Sequence, residues 1–199
     1  MANYRGPKAK ISRTFHEPIL GCEKVLERKN YPPGMHGRKR KRKSDYALQL
    51  EQKQKARHTY QVLEKQFRRI VKKAINAEDL SGHVLMQLLE MRLVTVVFRL
   101  GISPTMRAAR QLVAHGHICV NNKCVDRPSY TLKKGEKVSL TPKAKKMQLV
   151  KKSLAHREGM YPWLAWEPMK MEGVVLEVPA RAMIPGEIND RTIIEYYSK

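Results

Sequence analysis

LLEMRLVTVVFRLGISPTMRAARQLVAHGHICVNNK, residues 88–123, decides the fold, because it reads as two short basic helices followed by a tight β-hairpin. Leu93, Val96, Val97 and Leu100 recur at helical spacing, with Thr95 as the expected N-cap and Gly101 placed to end the helix in the left-handed conformation. That predicts a helix of about two turns. Pro104 interrupts it, and Thr105 caps a second helix whose apolar side is Ala108, Ala109, Leu112 and Val113 and which Gly116 stops. Once these stripes are buried, Arg92 and Arg99 on the first helix and Arg107 and Arg110 on the second are left over. They are expected to share a solvent face.

Two β-prone runs follow, His117 to Val120 and Lys123 to Val125, separated by Asn121 and Asn122. Asn tolerates positive φ, so the pair fits a two-residue type I′ turn. That register puts Ile118, Val120 and Val125 on one face and sets Cys119 opposite Cys124 on the other, with Lys123 at the tip. By spacing alone, the stretch fits equally a small α+β element with a solvated basic edge.

The whole composition sharpens this. Forty Lys and Arg against eighteen Asp and Glu leave a formal charge of +22 on 199 residues. Such a chain repels itself unless it meets a polyanion. The charge is uneven: Met160 to Lys199 has four basic and six acidic residues, so the preceding 159 carry +24. No apolar stretch is long enough to span a membrane and no basic amphipathic helix exposes aromatics, which favours nucleic acid over a membrane surface. No secretory or transit signal is read at the N-terminus. Cys22, Cys119 and Cys124 contain no Cys-x-x-Cys pair and no His at ligand spacing, so no metal site is expected. Cys119 and Cys124 are placed for a cross-strand disulfide, although in a reducing cytoplasm paired thiols are the default.

In residues 1–43, Gly6, Pro7, Pro18, Gly21, Pro32, Pro33, Gly34 and Gly37 predict an irregular arm. Lys8, Lys10 and Arg13 make it basic. Arg38, Lys39, Arg40, Lys41, Arg42 and Lys43 form an unbroken cationic run that abuts a helix, as in an arm ordered by phosphates. Ser44 is the expected N-cap of that helix, with Asp45 in its first turn. Tyr46, Leu50, Tyr60, Leu63, Phe67, Ile70 and Ala74 form the predicted core stripe, interrupted at the β-branched stretch 59–62. Lys53, Lys55, Arg57, Arg68, Arg69 and Lys72 surround it and extend the basic face.

Val84, Leu85, Leu88 and Leu89 are the expected buried face of a helix opened by Ser81 and Gly82. Beyond the hairpin, 135–140 reads as a strand with 129–132 as its partner, 143–157 as a basic helix, 174–178 as a strand and 193–197 as an apolar terminal segment. Tyr161, Trp163 and Trp166 suit packing better than base stacking, since Leu164 and Glu167 lie among them.

The central stretch resembles the small RNA-binding domain named after the fourth protein of the small ribosomal subunit. Leu89, Glu90, Arg92, Leu93, Val96, Val97, Arg99, Leu100, Gly101, Thr105, Arg107, Ala109, Arg110, Leu112, Val113, Gly116, His117, Ile118, Val120, Asn121 and Lys123 carry the match. Val94 departs from a usual capping Asp, and Met106 from a common second Arg. Tyr31, Pro32, Pro33, Gly34, His36 and Gly37 resemble a signature of the same family's bacterial type. So do Lys53, Gln54, Lys55, Arg57, Tyr60, Val62, Glu64, Gln66 and Phe67, although Gln61 replaces a frequent Gly, and at the other end Pro162, Trp163, Leu164, Pro179, Arg181, Ile194, Glu195, Tyr197 and Ser198. Many relatives carry a cysteine zinc site in the arm. With Cys22 as its single cysteine, this arm is expected to be zinc-free.

The resemblance implies an α+β fold: a mostly helical first domain completed by the C-terminal tail, with an inserted RNA-binding module of two helices packed on a short antiparallel sheet. The expected boundaries are a basic extension at 1–43, a helical domain at 44–91 plus 180–199, and the module with its elaboration at 92–179. It implies a structural constituent of the small ribosomal subunit that binds the 5′ domain of its ribosomal RNA, nucleates assembly of the subunit body and contributes to translational accuracy. Implied neighbours are the fifth small-subunit protein, with the twelfth as a further candidate, and messenger RNA at the entry channel. The implied location is the cytoplasm, in the ribosome.

The expected RNA-binding residues are the cations named above together with His36 and Lys123. No catalytic residue, cofactor or metal is expected. The alternatives are an RNA-modifying or RNA-handling enzyme, or its accessory protein, carrying the same module, and a general nucleic-acid compactor. An enzyme would need positioned acid, base or nucleophile groups, and Asp126 and His117 stand isolated. A compactor would need only dispersed charge.

Overall fold

In the computed structural model of the chain, Asn121 and Asn122 both take positive φ, 48° and 65°, and turn the chain between β1 (Ile118–Val120) and β2 (Lys123–Cys124). The register is the expected one, with Cys119 opposite Cys124 and Val120 opposite Lys123. Three more strands complete an antiparallel sheet: β3 (Lys137–Leu140), β4 (Leu164–Glu167) and β5 (Glu172–Val175), in the order β2-β1-β3-β5-β4. The structure describes residues 4–21, 23–39, 42–156, 159 and 161–198.

Helices account for most of the rest. They are α1 (Lys8–Phe15), α2 (Glu23–Arg28), α3 (Asp45–Thr59), α4 (Glu64–Ile75), α5 (Ser81–Glu90), α6 (Leu93–Arg99), α7 (Met106–Ala114), α8 (Pro142–Lys146), α9 (Gln148–Ala155) and α10 (Asp190–Tyr197). The chain divides into two compact units, Met1–Gly82 with Glu187–Lys199, and His83–Gly186. A helical unit completed by the C-terminal tail and an inserted unit bearing the sheet make this an α+β fold.

In the inserted unit, α6 and α7 bury Leu93, Val96, Val97, Ala109, Leu112 and Val113 beside Ile118, Val138 and Val175 of the sheet. Gly173 of β5 lies so close to Leu100 that a Cβ there would collide with the leucine side chain. The Thr105 hydroxyl accepts from the Ala108 N–H at 3.2 Å and caps α7, while Gly101 and Gly116, at φ 73° and 69°, let the chain leave α6 and α7.

The other cap is different from expectation. Arg92 occupies the N-cap of α6 without a side-chain cap, and Thr95 is inside the helix, its hydroxyl donating to the Leu89 carbonyl at 2.9 Å. Residues 129–132 do not pair with β3. They return to the entrance of α6, where Leu93 N–H donates to the Tyr130 carbonyl and Leu132 N–H to that of Met91, both at 2.8 Å. The partners of β3 are β1 and β5. β5 begins two residues before the predicted strand, and β4 has no counterpart among the strands expected from the sequence. The basic helix expected after Thr141 is split into α8 and α9 by the extended backbone of Met147.

In the helical unit, Ser44 caps α3 by accepting from Ala47 N–H, and the predicted break falls between α3 and α4. Gln61 turns the chain there at φ 49°, a left-handed conformation that glycine adopts without strain. Phe67, Val71 and Ala74 of α4 are buried, whereas Tyr46 and Leu63 of the predicted stripe are exposed. The arm is not irregular: α1 and α2 form between its breakers, with the left-handed His16 ending α1. α10 packs on α3 and α4, with the Tyr197 hydroxyl donating to Glu64 Oε1 at 2.8 Å.

Candidate nucleic-acid interface

Within the inserted unit the chemistry gathers at the start of α6 and along α7. Arg92 is only 8% exposed, because the N-cap position turns its side chain into the unit. Burial and the neighbouring charge of Arg110 lower its pKa to about 10. Burial lowers that of Arg110 as well. No acidic side chain among the described residues forms an ion pair with Arg92. A desolvated cation beside a second cation, with no acid paired to it, is strongly unfavourable unless an anion completes the site. Arg107 is half-buried on the same helix as Arg110, Met106 is buried beside it, and Lys123 is exposed at the hairpin tip.

Arg99 has a different environment. Its guanidinium forks onto the fully buried Glu90 carboxylate, Nη2 to Oε1 at 2.8 Å and Nε to Oε2 at 3.1 Å. Nη1 donates to the Tyr161 hydroxyl at 3.0 Å, and the guanidinium carbon is 4.9 Å from the Tyr161 ring centroid. The expected solvent face shared by Arg92 and Arg99 therefore does not exist: one side chain is buried beside Arg110 and the other neutralises Glu90. Trp163 is fully buried, its ring 4.9 Å from that of Tyr161.

In the helical unit, α4 is divided by its own periodicity. Phe67, Val71 and Ala74 face inward, and Lys65, Arg68, Arg69, Lys72 and Lys73 are all exposed. This is a cationic strip at three- and four-residue spacing, suited to a row of phosphates. Arg38, Lys39 and Arg42 are exposed as well.

Other predicted contacts of this unit hold the protein together instead of facing outward. Lys53 is buried and pairs with Glu64 at 2.9 Å, while Arg57 approaches the other oxygen of Glu64 at 3.5 Å. Burial alone would raise the Glu64 pKa, but hydrogen bonds from Lys53 and Tyr197 and the charges of Lys53 and Arg57 outweigh it and hold it low. Lys55 is buried, paired with Glu17 and donating to the Glu187 carbonyl at 2.8 Å. Arg13 donates to the Tyr31 and Pro32 carbonyls at 3.0 and 3.2 Å and lies over the Tyr31 ring, fastening the Tyr31–Gly37 loop. In that loop a Cβ on Gly37 would strike the Pro32 carbonyl. Lys43 differs, since it pairs with Glu51 and yet stays exposed.

Residues 3–90 match the ribosomal protein S4/S9 N-terminal domain, and residues 91–138 match the S4 domain. Small ribosomal subunit protein uS4 of Christiangramia forsetii and that of Parabacteroides distasonis are each 50% identical to this chain over 100% of both chains. The uS4 protein of Flavobacterium psychrophilum is 47% identical over the same full span. The chain belongs to the uS4 family of small ribosomal subunit proteins.

The family is one of structural ribosomal proteins, not of enzymes. The S4 domain match, residues 91–138, takes in α6, α7 and the hairpin. Of the predicted site residues, Lys8, Lys10, His36, Arg38, Lys39, Arg42, Lys43, Arg68, Arg69, Lys72 and Lys123 are exposed, while Arg40 and Lys41 lie outside the described residues. Lys65, Lys133 and Lys134, which the sequence prediction did not include, are exposed as well. The first completes the α4 strip and could have been found from its spacing to Arg68 and Arg69. Among the described residues, no group of three or more His, Cys, Asp or Glu could hold a metal ion, and no helix is long and apolar enough to cross a membrane.

Proposed function

We propose that this chain is a primary binder of small-subunit ribosomal RNA, seated on the 5′ domain, that nucleates assembly of the subunit body and contributes to translational accuracy. Buried Arg92, which forms no ion pair with an acid among the described residues, carries the reading, since a desolvated cation calls for an anion and a phosphate of folded RNA supplies one. Arg107 and Lys123 extend the contact in the RNA-binding module at 92–179, and the α4 strip with the cations of the 1–43 arm forms the second cationic face. Guanidinium groups fork onto phosphate oxygens and fix orientation, while the fold of the RNA supplies selectivity.

The family supports the remaining assignments: contact with the fifth small-subunit protein, and with the twelfth as a further neighbour, messenger RNA at the entry channel, and a cytoplasmic location in the ribosome. Filter binding of the full chain at matched salt tests the central one. Tighter binding to a folded 5′-domain transcript than to duplex DNA of equal length is expected. Equal affinity for the two would replace this reading with general compaction.

A further inference from the structure

The hairpin carries a feature that RNA binding does not use. Cys119 and Cys124 are directly opposed, both are thiols, and their Sγ atoms are 2.8 Å apart. Val120 and Lys123 flank the two-residue turn, and Val125 N–H donates to the Ile118 carbonyl at 3.1 Å, so the cysteines occupy the intervening position that exchanges no backbone hydrogen bonds. Opposed residues at such a position have Cα atoms about 4.5 Å apart, inside the range a disulfide spans. No backbone movement is needed. The two thiols also differ in access: Cys124 is exposed and Cys119 is buried.

We propose that Cys119 and Cys124 are a reversible modification site, closed into an intramolecular disulfide by exchange with a low-molecular-weight disulfide of the glutathione type. Exposed Cys124 reacts first. Its thiolate attacks one sulfur of the small disulfide, that S–S bond breaks, and one small thiolate leaves with the electron pair and takes up a proton. Cys119 then loses its proton to water and attacks Cys124 Sγ in the mixed disulfide, expelling the second small thiolate. Two protein thiols are oxidised and one small disulfide is reduced to two thiols. Burial and the adjacent Cys124 raise the Cys119 pKa to about 11, which makes it a poor first nucleophile, and it is the position of its Sγ against that of Cys124 that suits it to resolve the mixed disulfide from within.

The test uses the full chain carrying Cys22→Ser, held in buffers of graded reduced to oxidised glutathione, acid-quenched, alkylated and peptide-mapped. An internal Cys119–Cys124 disulfide should rise with oxidised glutathione and vanish with dithiothreitol, with circular dichroism unchanged. Adding Cys119→Ser should leave glutathione on Cys124 at about tenfold the level seen when both cysteines are present. Should that variant unfold, Cys124→Ser serves in its place, and Cys119 should then stay unmodified in the folded chain. Free thiols across the whole series, a persistent glutathione adduct with both cysteines present, or a covalent dimer through Cys124 would each overturn the proposal.

Discussion

Arg99 grips the buried carboxylate of Glu90 through two parallel hydrogen bonds, 2.8 and 3.1 Å long, and shields it from solvent. The pair joins the end of α5 to the end of α6, so it fixes how the first helix of the module leaves the helix before it. Arg99→Ala takes the bidentate guanidinium away from the buried Glu90 carboxylate and should cost about 3–5 kcal/mol in urea unfolding. Replacing both residues together by Met and Leu should cost clearly less. If the single change costs no more than a surface substitution, the bidentate pair does not hold the module together.

Arg92 should trade stability for binding. Arg92→Met removes a desolvated cation while keeping most of the side-chain volume, and should stabilise the free protein by about 1–2 kcal/mol. The same change should weaken binding to the 5′-domain transcript. A variant that is both more stable and bound as tightly as before would show that no anion completes this site.

Arg107 and Arg110 should govern the salt response. Alanine at both positions should lower affinity and flatten the plot of log affinity against log salt by about one unit for each phosphate no longer neutralised, with circular dichroism unchanged. An unaltered slope would move the interface off α7.

His58 should make the helical unit acid-sensitive. Its ring lies against Tyr4 and Phe15 and its Nε2 accepts from Arg57 at 3.3 Å. Burial, then the charge of Arg57, lowers its pKa from 6.5 to about 4. Between these two values the unfolded chain binds the proton and the folded chain does not. The stability is therefore fully present above pH 6.5 and is lost as pH falls through about 4. The loss should be on the order of 1–2 kcal/mol after allowing for solvent screening of a half-buried ring. Urea midpoints at neutral and acid pH, compared with those of His58→Gln, measure it, and equal acid sensitivity in both proteins would count against the assignment.

Gln61→Gly should stabilise the chain. Gln61 holds a left-handed φ of 49° and has a buried side-chain oxygen, Oε1, without a hydrogen-bond partner. Glycine relieves both, for a gain of about 0.5–1 kcal/mol. Thermal unfolding reads it directly, and a lowered midpoint would mean that the Gln61 side chain contributes packing that outweighs the strain.

Local signals set much of this protein from the sequence alone. The Thr105 cap, the Gly101 and Gly116 stops, the Asn121–Asn122 turn with its cysteine register, and the break at 59–62 are each written within a few neighbouring residues, because capping and backbone freedom act over that range. The charge and the motifs also pointed to the family. Which cations are free to meet RNA was decided only in three dimensions. Glu90 is nine residues from Arg99, Glu64 is eleven from Lys53 and Glu17 is thirty-eight from Lys55, and desolvation depends on what the fold brings around a charge. For the same reason Thr95 looked like a cap and proved a buried helix residue, and β4 went unseen because it is held by the register of β5, a partner the local pattern did not specify.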